Sequence, residues 1–376
     1  MQTQLHSRHN GDHRSTWRLL AVLALSLISS PAPKAAETIT IGKNSGIVWE
    51  GMPFSASLIG YIGGQRHSPY AGLTSISDIR TACLQTSKLT TIAGYKALQI
   101  APGVGLIPRA TANATYTLNT GVQETLAGTI GLPITEGRTS SGHVITGPVY
   151  SGTREWCLPP RTTIIEFFYS TSVRRNVQIA GTWVMVADGT QTSRQVAVPP
   201  MYAGSYQNVA GYDLTQQILP SEITLRISTL ICTVATTTNI NFGGVQRNTQ
   251  AGSELARLTY PLTVSCSQDT DRINANINVQ FRAISGLYSA TPTRLALTQG
   301  GGYITGEIDN GITGSGACNG TTGIPFDNTQ LKVGSIASAE TAKAFNNQIT
   351  WRLCSGGTSL PTGPVDASTE MLVTFN

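Results

Sequence analysis

His67, in GGQRHSPY, and His143, in RTSSGHVITG, are the only imidazoles beyond residue 36 of this 376-residue chain. A Ser–His–Asp machine needs a histidine within reach of a nucleophile and an acid. No nucleophile-elbow motif accompanies His143, and His67 sits among turn residues. A zinc site is poorly supported too. Cys83, Cys157, Cys232, Cys266, Cys318 and Cys354 include no CxxC or CxxH spacing, which structural zinc sites favour. His67 and His143 could still meet in space with a carboxylate. An even cysteine count would suit disulfides in a chain that is exported, as the leader described below implies, and the simplest pairing joins neighbours: 83–157, 232–266 and 318–354. Gly103-x-Gly105 and Gly314-x-Gly316 match phosphate loops only in part, with no helix following. No catalytic residue, cofactor or resident metal is expected.

Binding chemistry has better candidates. Sugars are held by flat aromatic faces and planar hydrogen-bonding side chains, and sulfates by arginine. One cluster is Trp156, Arg161, Tyr169, Arg174 and Arg175; the other is the loop PPMYAGSYQNVAGYD with Tyr202, Tyr206 and Tyr212. A Gly/Pro/Asn loop with three tyrosines has the composition of a binding loop. Trp156, beside Cys157, and Trp183, inside VQIAGTWVMV, suit a core better than a contact surface.

The elements that must position these side chains are strands. Only 12% of residues are charged and 40% are hydrophobic, against about 25% charged in an ordinary soluble domain. That balance excludes a disordered tail and, without heptads, a coiled coil. A net charge of +5 over the whole chain is no nucleic-acid stripe. Short β-branched runs with Gly, Pro or Asn punctuation predict strands at 37–41, 162–169, 177–186, 262–266, 277–282 and 371–375. STSVRRN, at 170–176, reads as a hairpin tip, Asp188-Gly189 as a turn, and 338–345 as a short helix. The fold class expected is all-β, with two β-sandwich domains.

Arg8, Arg14 and Arg18 precede the apolar run LLAVLALSLI at 19–28. This reads as a secretory signal peptide over residues 1–36, too short to span a bilayer. Its removal takes away three histidines and most of the positive charge. A boundary near Pro220 divides the rest into residues 37–228 and 229–376, both ordinary domain sizes.

Residues 229–376 resemble the pilin domain of chaperone/usher fimbrial subunits. Two features carry the resemblance: Cys232, leading through ATTTNINFGGV to Ser265-Cys266, and the ending STEMLVTFN with alternating Met371, Val373 and Phe375. The resemblance implies a Cys232–Cys266 disulfide joining the first two strands, and an immunoglobulin-like sandwich that lacks its last strand. It implies that a periplasmic chaperone recognises Met371, Val373 and Phe375 by edge pairing. An adjacent pilus subunit would replace the chaperone at the outer-membrane usher, which is β-strand addition. Residues 37–228, with two cysteines of their own, make the whole resemble two-domain tip adhesins. Such a chain would sit at the fimbrium tip and bind a host cell-surface glycan or glycoprotein. A slight positive bias in 37–228 favours an acidic, sulfated one. The alternative is a structural minor, adaptor or initiator subunit without receptor binding. Two features depart from the pattern: the extra pair Cys318 and Cys354, and ETITI at 37–41, which could act as a donor strand.

Overall fold

The computed structural model describes residues 37–376, so the expected leader lies outside the described residues. Within them every regular element is a strand except two single 3₁₀ turns, Thr86–Lys88 and Tyr288–Ala290. The protein is all-β.

The first half is organised by the long strand Arg174–Asp188. Val177 and Ile179 point inward while Gln178 and Ala180 point out, the period of two that a half-buried strand requires. It pairs antiparallel with Ser45–Tyr61 on one side and Val104–Thr117 on the other. The sheet continues through Gln123–Gly131 and Glu136–Thr139. A second sheet, ordered Cys157–Leu158, Thr74–Ser77, Met201–Ser205, Leu214–Leu219, adds Ile76, Met201 and Ala203 to the same core. The disulfide Cys83–Cys157 lies at this level. Gly72 passes against both its sulfurs with φ +64°, where a Cβ would come within 2.4 and 2.5 Å of them. Only glycine fits there.

The second half has its own core. Ile231–Thr236, Glu254–Ser267, Ala342–Ser355, Gly302–Ile308 and Leu295–Ala296 form one sheet in that order. Thr369–Phe375, Ala275–Ala283 and Leu331–Ile336 run on the facing side. Phe281, Phe326 and Trp351 interlock between them. Cys232 and Cys266 are register partners joined by a disulfide, and Cys318–Cys354 closes the third bridge.

The apolar core falls into two large clusters, one running from Ile39 to Ile227 and the other from Leu230 to Phe375. One sheet nevertheless crosses from one to the other. The N-terminal strand Thr38–Ile41 lies parallel to Thr224–Ile227 and meets the C-terminal strand at the pair Thr40 and Phe375. The two halves also meet through charge. Glu50, 3% exposed, accepts from Thr182 Oγ1 (2.8 Å) and Asn328 Nδ2 (3.0 Å). Its other carboxylate oxygen faces Arg109 at 3.3 Å and Arg282 at 4.0 Å. Arg282 in turn holds Glu370 of the C-terminal strand at 2.6 Å.

Two expected elements are corrected. Residues 162–169 form a loop touched only by isolated bridges at Ile165 and Tyr169, because their apolar side chains are divided between core and solvent without alternation. Residues 338–345 turn and then enter the strand Ala342–Ser355, where Phe345 pairs with Val264. A ladder partner outweighs the local helical preference.

Candidate functional site

Arg174 and Arg175 are adjacent on one strand and therefore serve opposite faces. Arg175 is fully buried. Its Nε donates to Ser205 Oγ (2.8 Å), Nη1 to the Tyr61 carbonyl (2.6 Å), and Nη2 to the carbonyls of Ser205 (2.9 Å) and Tyr212 (2.7 Å). Burial lowers its pKa to about 10, opposed by Tyr169 and Asp213. It stays charged at neutral pH and ties the loop carrying Tyr212 to the end of the strand carrying Tyr61. Arg174 projects outward, its guanidinium 5.1 Å from the centre of the Tyr61 ring.

The result is an exposed platform. Tyr61 is 46% exposed and Tyr212 42%, with Ile59 and Val209 also open. Tyr212 lies flat over Gly63, where a Cβ would approach its ring to 2.2 Å. Arg174 stacked on Tyr61 gives an aromatic face with a guanidinium, and the exposed Tyr212 lies on the neighbouring loop that Arg175 ties to the Tyr61 strand. An aromatic face and a guanidinium can stack on a sugar ring and bond its substituents. Tyr61 was missed in the sequence because nothing but its register with Arg174 places it there. Tyr202 is half-buried beneath the Arg80 guanidinium, 4.7 Å from its ring centre.

The other binding candidates are corrected. Arg175, Tyr169 (3% exposed) and Tyr206 (1% exposed) lie inside. Tyr206 OH donates to the Ile79 carbonyl at 3.0 Å. Tyr169 packs edge-on against His67, Tyr116 and Phe168. Arg161 is mostly covered and pairs with buried Glu124 at 3.1 Å. Each looks like a contact residue by type, yet strand alternation turns Arg175 inward, buried Glu124 holds Arg161, and Tyr169 and Tyr206 are packed inside from loop positions. Trp156 and Trp183 are buried as well.

Glu124 organises a polar cluster. It accepts from Tyr116 OH at 2.5 Å, from Ser141 Oγ and from Arg161. Burial opposes its charge, but these hydrogen bonds outweigh that and hold the carboxyl below its usual pKa. Ser141 spends its proton on this carboxylate. His67 Nε2 lies 2.9 Å from the Arg161 carbonyl, and His143 is exposed and donates its backbone N–H to Thr139 Oγ1 at 3.1 Å. Among the described residues no three His, Cys, Asp or Glu side chains gather as a metal site.

His67 gives the first prediction. Burial lowers its pKa from 6.5 to about 4, with the Arg161 carbonyl opposing and the Arg161 charge reinforcing the shift. Around it stand Arg161, Tyr169 and the Arg66–Glu166 pair at 3.4 Å. Between pH 6.5 and 4 the unfolded chain binds the proton and the folded one does not, so stability falls as pH falls. From pH 7 to pH 4.5 the loss due to this residue is about 2.5 kcal/mol. Urea unfolding of His67→Gln should show a shallower decline than wild type by about that amount. Parallel pH profiles would contradict it.

The second half offers an edge rather than a pocket. In the C-terminal strand, Met371 and Val373 are half-buried and Phe375 is buried, all packed on the second core. Its far edge pairs with Ala275–Ala283. Among the described residues no strand pairs the near edge from Thr369 to Thr374, nor the outer edge of Ile231–Thr236. Val234, Ile240 and Phe242 sit partly buried on the same core. An unpaired edge over a half-covered apolar core is a template for another strand.

No protein-family model and no curated sequence matches the chain. Solved structures similar to the chain at low identity include the following three. The CupB6 tip adhesin from Pseudomonas aeruginosa is 12% identical over 88% of this chain and 86% of its own, with a TM-score of 0.29. A chaperone–tip adhesin complex of CFA/I fimbriae is 8% identical over 90% and 94%, TM-score 0.23. The CsuC–CsuE chaperone–tip subunit complex of Acinetobacter baumannii is 11% identical over 84% and 100%, TM-score 0.22. At these values they assign neither family nor function, and the chain's own geometry must carry the reading.

Proposed function

We propose that the protein is a two-domain fimbrial adhesin. Residues 37–228 bind a host cell-surface glycan or glycoprotein, and residues 229–376 attach the chain to a fimbrium. The carrying observation is the sandwich of the second half, whose C-terminal strand pairs with Ala275–Ala283 on one side and, among the described residues, leaves its other edge from Thr369 to Thr374 unpaired above an apolar core. A periplasmic chaperone would cover that edge, and an adjacent pilus subunit would replace it at the outer-membrane usher, leaving the chain at the fimbrium tip. The platform of Tyr61, Arg174 and Tyr212 is the receptor site this reading favours, with Tyr202 beside Arg80 as a second surface. Arginine at the platform suits an acidic glycan, sulfated ones included. No catalytic step is assigned.

Removing residues 372–376 tests the attachment half. Co-expressed with a periplasmic chaperone of this class, the full chain should co-purify with it, and the truncated chain should lose capture at least about tenfold. Undiminished capture and surface display of the truncated chain would overturn this half of the reading.

A further inference from the structure

We infer that residues 40–44 fill one end of the missing-strand slot in cis, so that a strand from another protein can pair only with Thr369–Thr374. The inference rests on the strand-accepting reading above and adds the length, register and chemistry of the partner segment.

The slot has two rims, the C-terminal strand and Ile231–Thr236. Residues 40–44 bond to both. Thr40 pairs antiparallel with Phe375, the last residue of one rim. Lys43 N donates to the Leu230 carbonyl at 3.3 Å, and Asn44 Nδ2 donates to the Cys232 carbonyl at 3.0 Å, at the start of the other rim. A fourth bond ties the segment to the linker between the cores: Ser228 N donates to the Ile41 carbonyl at 2.9 Å. Each of these groups would otherwise be free to pair with an incoming strand, and each is already used.

The segment is also anchored from behind. Gln191 Nε2 donates to the carbonyls of Gly42 (2.8 Å) and Asn44 (2.9 Å), and Ile39 and Ile41 are buried in the first core. Displacing it would strip both isoleucines from that core and leave the buried Gln191 amide unpaired. Gly42 fits because it has no side chain: a Cβ would meet the Leu230 carbonyl at 1.9 Å and the Phe375 ring at 2.8 Å. The contact is built for a fixed neighbour.

What remains is an edge of six residues, about 20 Å of strand. Met371, Val373 and Val234 line its floor. The partner is therefore an extended segment of about six residues with uncharged, apolar side chains at alternate positions. The rims come within 8 Å at their nearest Cα atoms, less than the roughly 9.6 Å spanned by two strand spacings. At that closest point there is no room for a strand between them, so the probe is present while the protein refolds.

The full chain is refolded from urea, disulfides intact, with alternating Val/Thr peptides of six or ten residues. Hydrogen exchange and binding are then measured. The expected result is exchange slowed at least about tenfold across residues 369–374 by either peptide, with exchange at 38–44 unchanged. The ten-residue peptide should bind no more than about threefold tighter than the six-residue one. If it binds more than about tenfold tighter and exchange at 38–44 accelerates, residues 40–44 are a displaceable placeholder. The inference then fails, while the strand-accepting reading stands. If neither peptide protects 369–374, both fail.

Discussion

Arg175→Met should lower the unfolding free energy by about 3–5 kcal/mol, the cost of breaking a buried, charged hydrogen-bond network. Methionine fills most of the arginine stem's volume, so the loss isolates the polar head. Three backbone carbonyls, from Tyr61, Ser205 and Tyr212, and the Ser205 hydroxyl lose their donor together. Each buried acceptor left unpaired costs about 1–3 kcal/mol before relaxation and entering water reduce the total. Arg174→Met, one residue away but in solvent, loses only a surface contact with Tyr61 and should shift stability by less than about 1 kcal/mol. Urea unfolding of the two variants compares neighbours of identical type. Equal effects would refute the division of labour between the faces.

The second large effect is expected at Glu50. Glu50→Ala leaves the Arg109 and Arg282 guanidiniums to share the partly exposed Glu370, at 3.8 and 2.6 Å, and removes the acceptor of Thr182 and Asn328. A loss of about 2–3 kcal/mol follows from unpairing the Thr182 and Asn328 donors and leaving two guanidiniums to one carboxylate. Part of it should return in Glu50→Ala combined with Arg109→Met, with a coupling of about 1–3 kcal/mol between the sites. Arg109 belongs to the first half, and Arg282 and Glu370 to the second. Limited proteolysis near residues 228–230 should therefore accelerate in the single variant and slow again in the double one. Purely additive losses would mean that Glu50 does not join the halves.

Much of the strand content was legible because period-two patterning is local. VQIAGTWVMV and the ending MLVTF are strands in sequence and in structure. The loop at 162–169 was not legible, since TTIIEFFY is as β-branched and aromatic as any strand. What decides it is that Phe168 and Tyr169 turn onto His67 and Tyr116 while Phe167 stays 70% exposed. The candidate site divided in the same way. Residue type nominated Arg161, Tyr169, Arg174, Arg175, Tyr202, Tyr206 and Tyr212, but only a register or a buried partner tells Arg174 from Arg175, or Tyr212 from Tyr206. Tyr61 joined the platform through a strand more than a hundred residues away in sequence, a distance no local pattern can bridge. ETITI was legible as a strand, whereas its place between Thr224–Ile227 and Phe375 is a matter of topology.

Receptor binding by the exposed platform is the central claim, and a glycan array probed with the full chain tests it most directly. The expected result is binding to a restricted set of host-type glycans. Tyr61→Ala should weaken it at least about tenfold, the loss of one stacked ring, and Arg174→Ala should remove whatever salt dependence an acidic glycan confers. Both variants should keep wild-type urea midpoints. No glycan bound by the folded chain, or binding unchanged in Tyr61→Ala, would contradict it.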